Sequence, residues 1–292
     1  MAAFLPPELE RDIFELFVES SGTKSIPPLL CVARRVKLWV EPFLYRITFV
    51  GPTRFEPKNA EKTENALLQA EVLLVAIQDG RLPPSFFDAH VQHVFVDSRG
   101  YPIPSRDTIL AALTGTTDLF LLNILAAPSL LAHVRHMPLR RLQANLGSLF
   151  GVPTDRANSV GTVDFSAPMF ARLTHLAVFD DLRECPTAEW AAGLASLPAL
   201  THLSFEHNWE HPLFWEVLDG CAALRVFVVL VDPEFEQVAL RTALERDERA
   251  VMMEDHKTYE GEKDWYRGAR GSDDYWERAE RLLRERRSGE RR

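Results

Sequence analysis

Apolar positions along this chain follow two periods. At the front, Leu9, Ile13, Leu16 and Phe17 fall at i, i+4, i+7 and i+8, the spacing of one helical stripe. Pro6 and Pro7 stand just ahead of it, where a fixed φ and a missing N–H suit a first helical turn. A stripe this apolar needs a cover, from the rest of the chain or from another molecule. A second helix is expected after Ser25, with Pro27 and Pro28 at its start and Leu29, Val32, Val36 and Val40 on one face. It should stop at Glu41 and Pro42, because the residue before a proline is biased away from the helical region.

From residue 44 the pattern becomes short and extended. Leu44-x-x-Ile47-x-Phe49 is followed by Val91-x-x-Val94-x-Val96, Thr116-x-x-Leu119-x-Leu121 and Leu139-x-x-Leu142-x-Ala144. Leu173-x-x-Leu176-x-Val178, Leu200-x-x-Leu203-x-Phe205 and Leu224-x-x-Phe227-x-Val229 complete the series. From Val91 onward the frames start 25, 23, 34, 27 and 24 residues apart. Helices are expected between them, over residues 60–78, 105–113, 187–195, 212–218 and 233–244. Ser105 and Thr187 are candidate N-caps, and Gly80 and Gly220 candidate stops. The long step reads as a loop inserted over residues 147–168.

A frame of this kind recurring every ~20–29 residues, one strand per unit, resembles the leucine-rich repeats. Units of that kind stack because a short strand cannot hide its apolar residues alone. The Asn that follows a regular frame is matched only by Asn208, with Asp181 and Asp232 as partial substitutes. The expected fold class is therefore α/β, an irregular leucine-rich-repeat-like solenoid preceded by a small helical module. The alternative is an ordinary α/β domain whose strands share an apolar spacing.

Composition narrows the function. A formal net charge of −9 argues against a general nucleic-acid binder, since duplex binding depends on basic groups at phosphates. It also disfavours acidic membranes. The three cysteines, Cys31, Cys185 and Cys221, neither frame a disulfide scaffold nor give metal-finger spacing. The longest apolar runs, such as 72–77 and 226–231, are far too short to span a bilayer. With no segment that reads as a secretory signal, a cytoplasmic or nuclear protein is expected.

"LPPELERDIF", then "LLCVARRVKLWVEPFLYR", then leucine-rich frames: in this order the residues resemble the fungal F-box-like proteins with degenerate leucine-rich repeats. Leu5, Pro6, Glu8, Leu9 and Ile13 carry the first part, and Val32, Val36, Trp39, Pro42, Leu44 and Tyr45 the second. The resemblance implies an F-box-like module over residues 1–46, a repeat region over 47–248 and a capping segment with a charged helix over 249–292. It implies a non-enzymatic substrate-recognition subunit of a cullin-RING ubiquitin ligase, with no cofactor. The partners would be a Skp-type adaptor and an unknown protein substrate. Leu5, Pro6, Glu8, Leu9, Ile13, Val32, Val36 and Trp39 would face the adaptor. The rival is a stand-alone scaffold or receptor that no longer binds the adaptor.

Side chains alternate along a strand, so residues between and after the frame leucines should form an outward grid for the substrate. Its candidates are His93, Phe95, Asp118, Phe120, Arg141, Gln143, His175, Phe179, His202 and Glu206. The last row, Val226, Val228 and Leu230, is wholly apolar and should be covered by the C-terminal segment. His175, His202, His207 and His211 could be imagined around a metal, yet they match no ligand motif. No nucleophile elbow or phosphate-binding loop appears. At the end, Ser272 is a candidate cap for a helix with Trp276, Ala279 and Leu283 on one side.

Overall fold

Eight short strands carry the apolar frames: β1 (Ile47–Val50), β2 (His93–Asp97), β3 (Asp118–Leu122), β4 (Arg141–Ala144), β5 (His175–Val178), β6 (His202–Glu206), β7 (Val226–Val231) and β8 (Ala250–Glu254). The computed structural model describes residues 5–21, 25–51, 70–99, 102–124, 128–151, 163–206, 210–234, 238–254 and 258–289. The front of the chain forms α1 (Pro7–Ser21), α2 (Ile26–Leu29) and α3 (Arg34–Val40). Around the strands follow α4 (Ala70–Gln78), α5 (Pro84–His90), α6 (Ile103–Ala112), α7 (Pro128–Val134), α8 (Leu146–Phe150), α9 (Thr187–Ala195), α10 (Pro212–Gly220) and α11 (Val238–Leu244). The chain then adds α12 (Thr258–Ala269) and α13 (Tyr275–Ser288).

All eight strands join one parallel sheet whose order is the sequence order, β1 to β8. Val94, Leu119, Leu142, Leu176, Leu203 and Phe227 stand in register across it. On that face they pack against Leu73, Ile109, Leu130, Trp190, Leu213 and Leu240 of the intervening helices. The opposite face carries Phe49, Phe95 and Phe120 beneath Trp265, and Val226, Val228 and Val251 beneath Tyr275, Trp276 and Leu283. A parallel sheet buried on both faces reads as near-continuous apolar strands, which explains why β7 is "VFVVLV".

This architecture corrects the expected irregular leucine-rich-repeat-like solenoid preceded by a small helical F-box-like module. The chain is an α/β fold with a single eight-stranded all-parallel sheet alternating with helices. The frames mark parallel strands, and that apolar spacing is shared by any such strand buried between layers. A repeat array would leave one sheet face free, whereas here α12 and α13 lie on it. The N-terminal helices form only a small cluster of their own, built on Val18, Ile26, Val36 and Val40.

Local differences have local causes. The first frame is slipped by one residue: Thr48, not Ile47, pairs with Val94, so Val50 joins the main core and Phe49 the opposite face. A one-residue slip exchanges the two faces of a strand. The second helix is broken into α2 and α3. Ser105 lies inside α6, which starts at Ile103, and Thr187 is the first residue of α9 rather than its cap. Gly80 does stop α4, at φ +62°. The cap of α13 is Asp274, which accepts from the Glu277 N–H at 3.0 Å, not Ser272. Asn208, His207, residues 60–69 of the first expected helix and 152–162 of the expected loop lie outside the described residues.

Candidate functional site

Two surfaces bear on function, and the N-terminal one is the simpler. Leu9, Ile13, Leu16 and Phe17 are 51%, 57%, 67% and 48% exposed, so the stripe on α1 points to solvent. The inward side of α1 is Phe14 and Val18, which pack with Ile26, Val36, Trp39 and Val40. Leu5, Pro6, Glu8 and Val32 are exposed as well. Trp39 is half-buried against Phe14, with ring centroids 6.4 Å apart. Val36 is fully buried and cannot face an adaptor; its place in the apolar series made it look equivalent to Val32. Arg35 clamps α3 to α1 through Glu10, with nitrogen–oxygen distances of 2.8 and 3.0 Å.

The second surface is the sheet face expected to form an open grid, and most of it is closed. Phe95, Asp118 and Phe120 are buried beneath α12. Asp118 Oδ1 accepts from the Trp265 indole N–H at 3.0 Å, and His93 Nδ1 lies 3.1 Å from Oδ2. Arg141 is tied to the cap of α13 through Asp274 Oδ2 at 2.7 Å. His175 and His202 stack with centroids 4.0 Å apart and rings 11° from parallel, with Trp276 edge-on to both. The expectation that these residues face a substrate is corrected for Phe95, Asp118, Arg141, His175 and His202. Residues 258–288 fold back over them, and the aromatic and acidic run "DWYRGARGSDDYW" was the signal that could have shown it. Val226 and Val228 are covered by α13, as their apolar row required.

Burial sets the electrostatics of the histidine pair. It depresses His175 to about 2, helped by the neighbouring His202 and by Arg141. His202 is depressed too, chiefly by burial, although Glu280 opposes this. Both rings are therefore neutral. In the neutral ring His202 donates Nε2–H to Glu280 at 3.0 Å and accepts at Nδ1 from the Thr201 hydroxyl at 2.8 Å. Their role is packing and orientation of α13, and among the described residues no three His, Cys, Asp or Glu side chains converge as metal ligands.

Between the C-terminal ends of the strands and residues of α12 and α13 lies a cavity of about 800 Å³. Its floor includes Phe120, Gln143, Phe179 and Glu206, four of the ten grid candidates, with Leu230 and Met253 beyond them. Asp264 and Tyr275 stand on the helical wall. The Asp264 carboxylate accepts from the Tyr275 backbone N–H at 2.6 Å and lies 2.7 Å from Arg278. Burial raises the Asp264 carboxyl despite these partners. Tyr275 is held as the phenol by burial, with its hydroxyl 3.0 Å from that of Ser204. Frame counting marked Leu230 as covered and gave no reason to single out Asp264, Tyr275 or Met253. No protein-family model matches the chain and no curated protein is similar to it at a significant level, so its function has to be argued from these two surfaces.

Proposed function

We propose that this is a non-enzymatic interaction protein that docks another protein through its N-terminal helices. The observation that carries this reading is the outward stripe Leu5, Leu9, Ile13, Leu16 and Phe17, all about half exposed or more. Val32 and Leu38 of the neighbouring segment are exposed at 59% and 65%. Isolated apolar residues on a surface are ordinary, but a contiguous helical stripe marks an interaction face. Recognition would be helix-in-groove, with a few apolar anchors supplying most of the energy.

The partner class implied by the sequence resemblance is a Skp-type adaptor of a cullin-RING ubiquitin ligase, with the chain holding a protein to be modified. Work in the cytoplasm or nucleus accords with three free cysteines, one of them exposed. Among the described residues no helix is long and apolar enough to cross a membrane. The rival is a stand-alone scaffold.

The test is co-purification with a Skp-type adaptor, for wild type and for Leu9→Ser/Ile13→Ser. Both positions are exposed, so the substitutions should change stability by less than about 0.5 kcal/mol each. Binding by wild type that disappears in an equally stable variant supports the reading. No binding by folded wild type removes the adaptor and leaves the scaffold.

A further inference from the structure

β8 ends the sheet: it pairs with β7 on one side, and among the described residues no strand lies on the other. The direction of its backbone groups follows from its bonds. Phe227 donates to the Arg249 carbonyl at 2.8 Å, so Arg249, and with it Val251 and Met253, turns toward β7. The residues between them turn the other way. Ala250 shows this phase, since its carbonyl accepts from Arg286 of α13 at 2.7 Å. The main-chain N–H and C=O of Met252 therefore face outward, as on any strand edge that a further strand can join.

α11 packs on one face of the sheet and α13 on the other, so a space lined by both helices and by β8 runs along that outer edge. A groove of about 720 Å³ does so, lined by all five residues of β8, by Arg241, Leu244 and Glu245, and by Arg278, Leu282 and Arg286. Five strand residues span about 17 Å. The strand is recessed in it, with Ala250, Val251 and Met252 only 0%, 7% and 9% exposed. The same edge of a second copy is recessed too, so two copies would meet through their helices before their strands. A single extended peptide has no such obstacle, and its side chains would alternate between the two helices.

The two walls differ in charge. Arg278, Leu282 and Arg286 stand at i, i+4 and i+8 of α13, one row along the helix, and α13 contributes no carboxylate to the lining. Arg278 is engaged by Asp264 at 2.7 Å, whereas Arg286 donates to the neutral main-chain carbonyls of Asp247 and Ala250. The carboxylates of the lining, Glu245 and Glu254, lie just after α11 and at the end of β8, and Arg241 stands on the α11 wall with them. We propose that the outer edge of β8 takes up an extended acidic peptide of a partner protein, which adds a ninth strand with its carboxylates toward Arg286 and its apolar side chains toward Leu244.

The test measures binding of acetyl-Val-Glu-Val-Glu-Val-amide to the full chain by calorimetry and NMR. The same peptide with Lys for Glu, and the Glu peptide methylated at every amide nitrogen, are the comparisons. The acidic peptide should bind with Kd of about 1 mM or tighter, and the Lys peptide at least about tenfold more weakly. The methylated peptide, which cannot donate to the edge, should not bind at about 10 mM. Hydrogen exchange of the Met252 amide should slow on binding, while the Val251 and Met253 amides, already in the ladder, change little. Leu282→Glu, at a half-buried position, should weaken the acidic peptide about tenfold and remove its advantage over the Lys peptide. If a thermal unfolding curve shows that variant unfolded, the comparison is read from Arg241→Glu, at an exposed position. The proposal is overturned if the acidic peptide fails to bind at about 10 mM, if the Lys or the methylated peptide binds as tightly, or if binding leaves the Met252 amide unprotected. Dimerisation without peptide that protects the Met252 amide would give the edge to a second copy and overturns it as well.

Discussion

Trp265 and Asp118 meet across 147 positions of chain, the indole N–H donating to the carboxylate at 3.0 Å in a buried setting. Trp265 is 3% exposed and packs on Phe49, Phe95 and Phe120 with ring centroids 5.5, 5.6 and 6.4 Å away. It is the main bolt between α12 and the sheet.

Trp265→Ala should therefore cost about 3–5 kcal/mol, as expected for deleting a buried indole. Trp265→Phe keeps an aromatic body but deprives Asp118 of one donor, and should cost about 1–3 kcal/mol. Denaturant unfolding of both variants, and of Asp118→Asn with Trp265→Phe, separates packing from the hydrogen bond. A double variant no worse than the single ones places the coupling in that bond.

The histidine pair gives a pH dependence with a defined sign. Burial lowers His175 to about 2 in the folded protein, below its ordinary 6.5, so the unfolded chain binds the proton more tightly. The group's contribution is fully present above pH 6.5 and is lost as pH falls below it, by at most about 1.4 kcal/mol per pH unit. His175→Gln does not titrate in this range. The stability advantage of wild type over this variant should shrink from pH 7 to pH 5 in parallel denaturation curves, and an unchanged gap would contradict a neutral buried ring.

Asp180 caps a helix from outside it. Its carboxylate oxygens accept from the Leu146 and Gly147 N–H groups at 2.6 and 2.7 Å, the first two positions of α8. Burial outweighs those bonds and raises the group to about 6. Asp180→Asn turns an N–H₂ toward one of the two donors and should destabilise by about 1–3 kcal/mol; Asp180→Ala leaves both donors bare and should cost more. Hydrogen exchange at Leu146 and Gly147 should accelerate in each variant.

Gly51 closes β1 at φ +114°, and a Cβ there would stand 2.1 Å from the Asp97 carbonyl oxygen. Gly51→Ala should cost more than the ~1–3 kcal/mol typical of a strained backbone conformation alone, because the collision is with main chain of the neighbouring strand. A thermal unfolding curve indistinguishable from wild type would show that β1 and β2 can separate at this end.

Much of the sheet was legible because parallel strands repeat one requirement. Each buries an apolar side chain at the same height, so six frames from Val94 to Phe227 stand in true register. The frame at Leu44 slipped because Phe49 and Val50 are both buried, and burial on two faces erases the alternation that fixes register. An apolar stripe tells which residues share a helix face but not which face turns inward. On α1 the longer stripe looks outward while Phe14 and Val18 look inward. The candidate cavity was half readable: its floor follows from strand alternation, giving Phe120, Gln143, Phe179 and Glu206. Its wall follows from contacts such as Arg141 with Asp274, 133 residues apart, and no local period records those.

The same long reach has a consequence for how the molecule is made. Strand order equals sequence order, so β1 to β8 can be laid down one after another as the chain leaves the ribosome. Their second face, with Phe49, Phe95, Phe120, Val226 and Val228, stays bare until residues beyond 258 emerge and fold back. The nascent sheet thus passes through a sticky stage whose length is set by translation speed. Cells making this protein should depend on chaperones that hold apolar sheet surfaces during that interval.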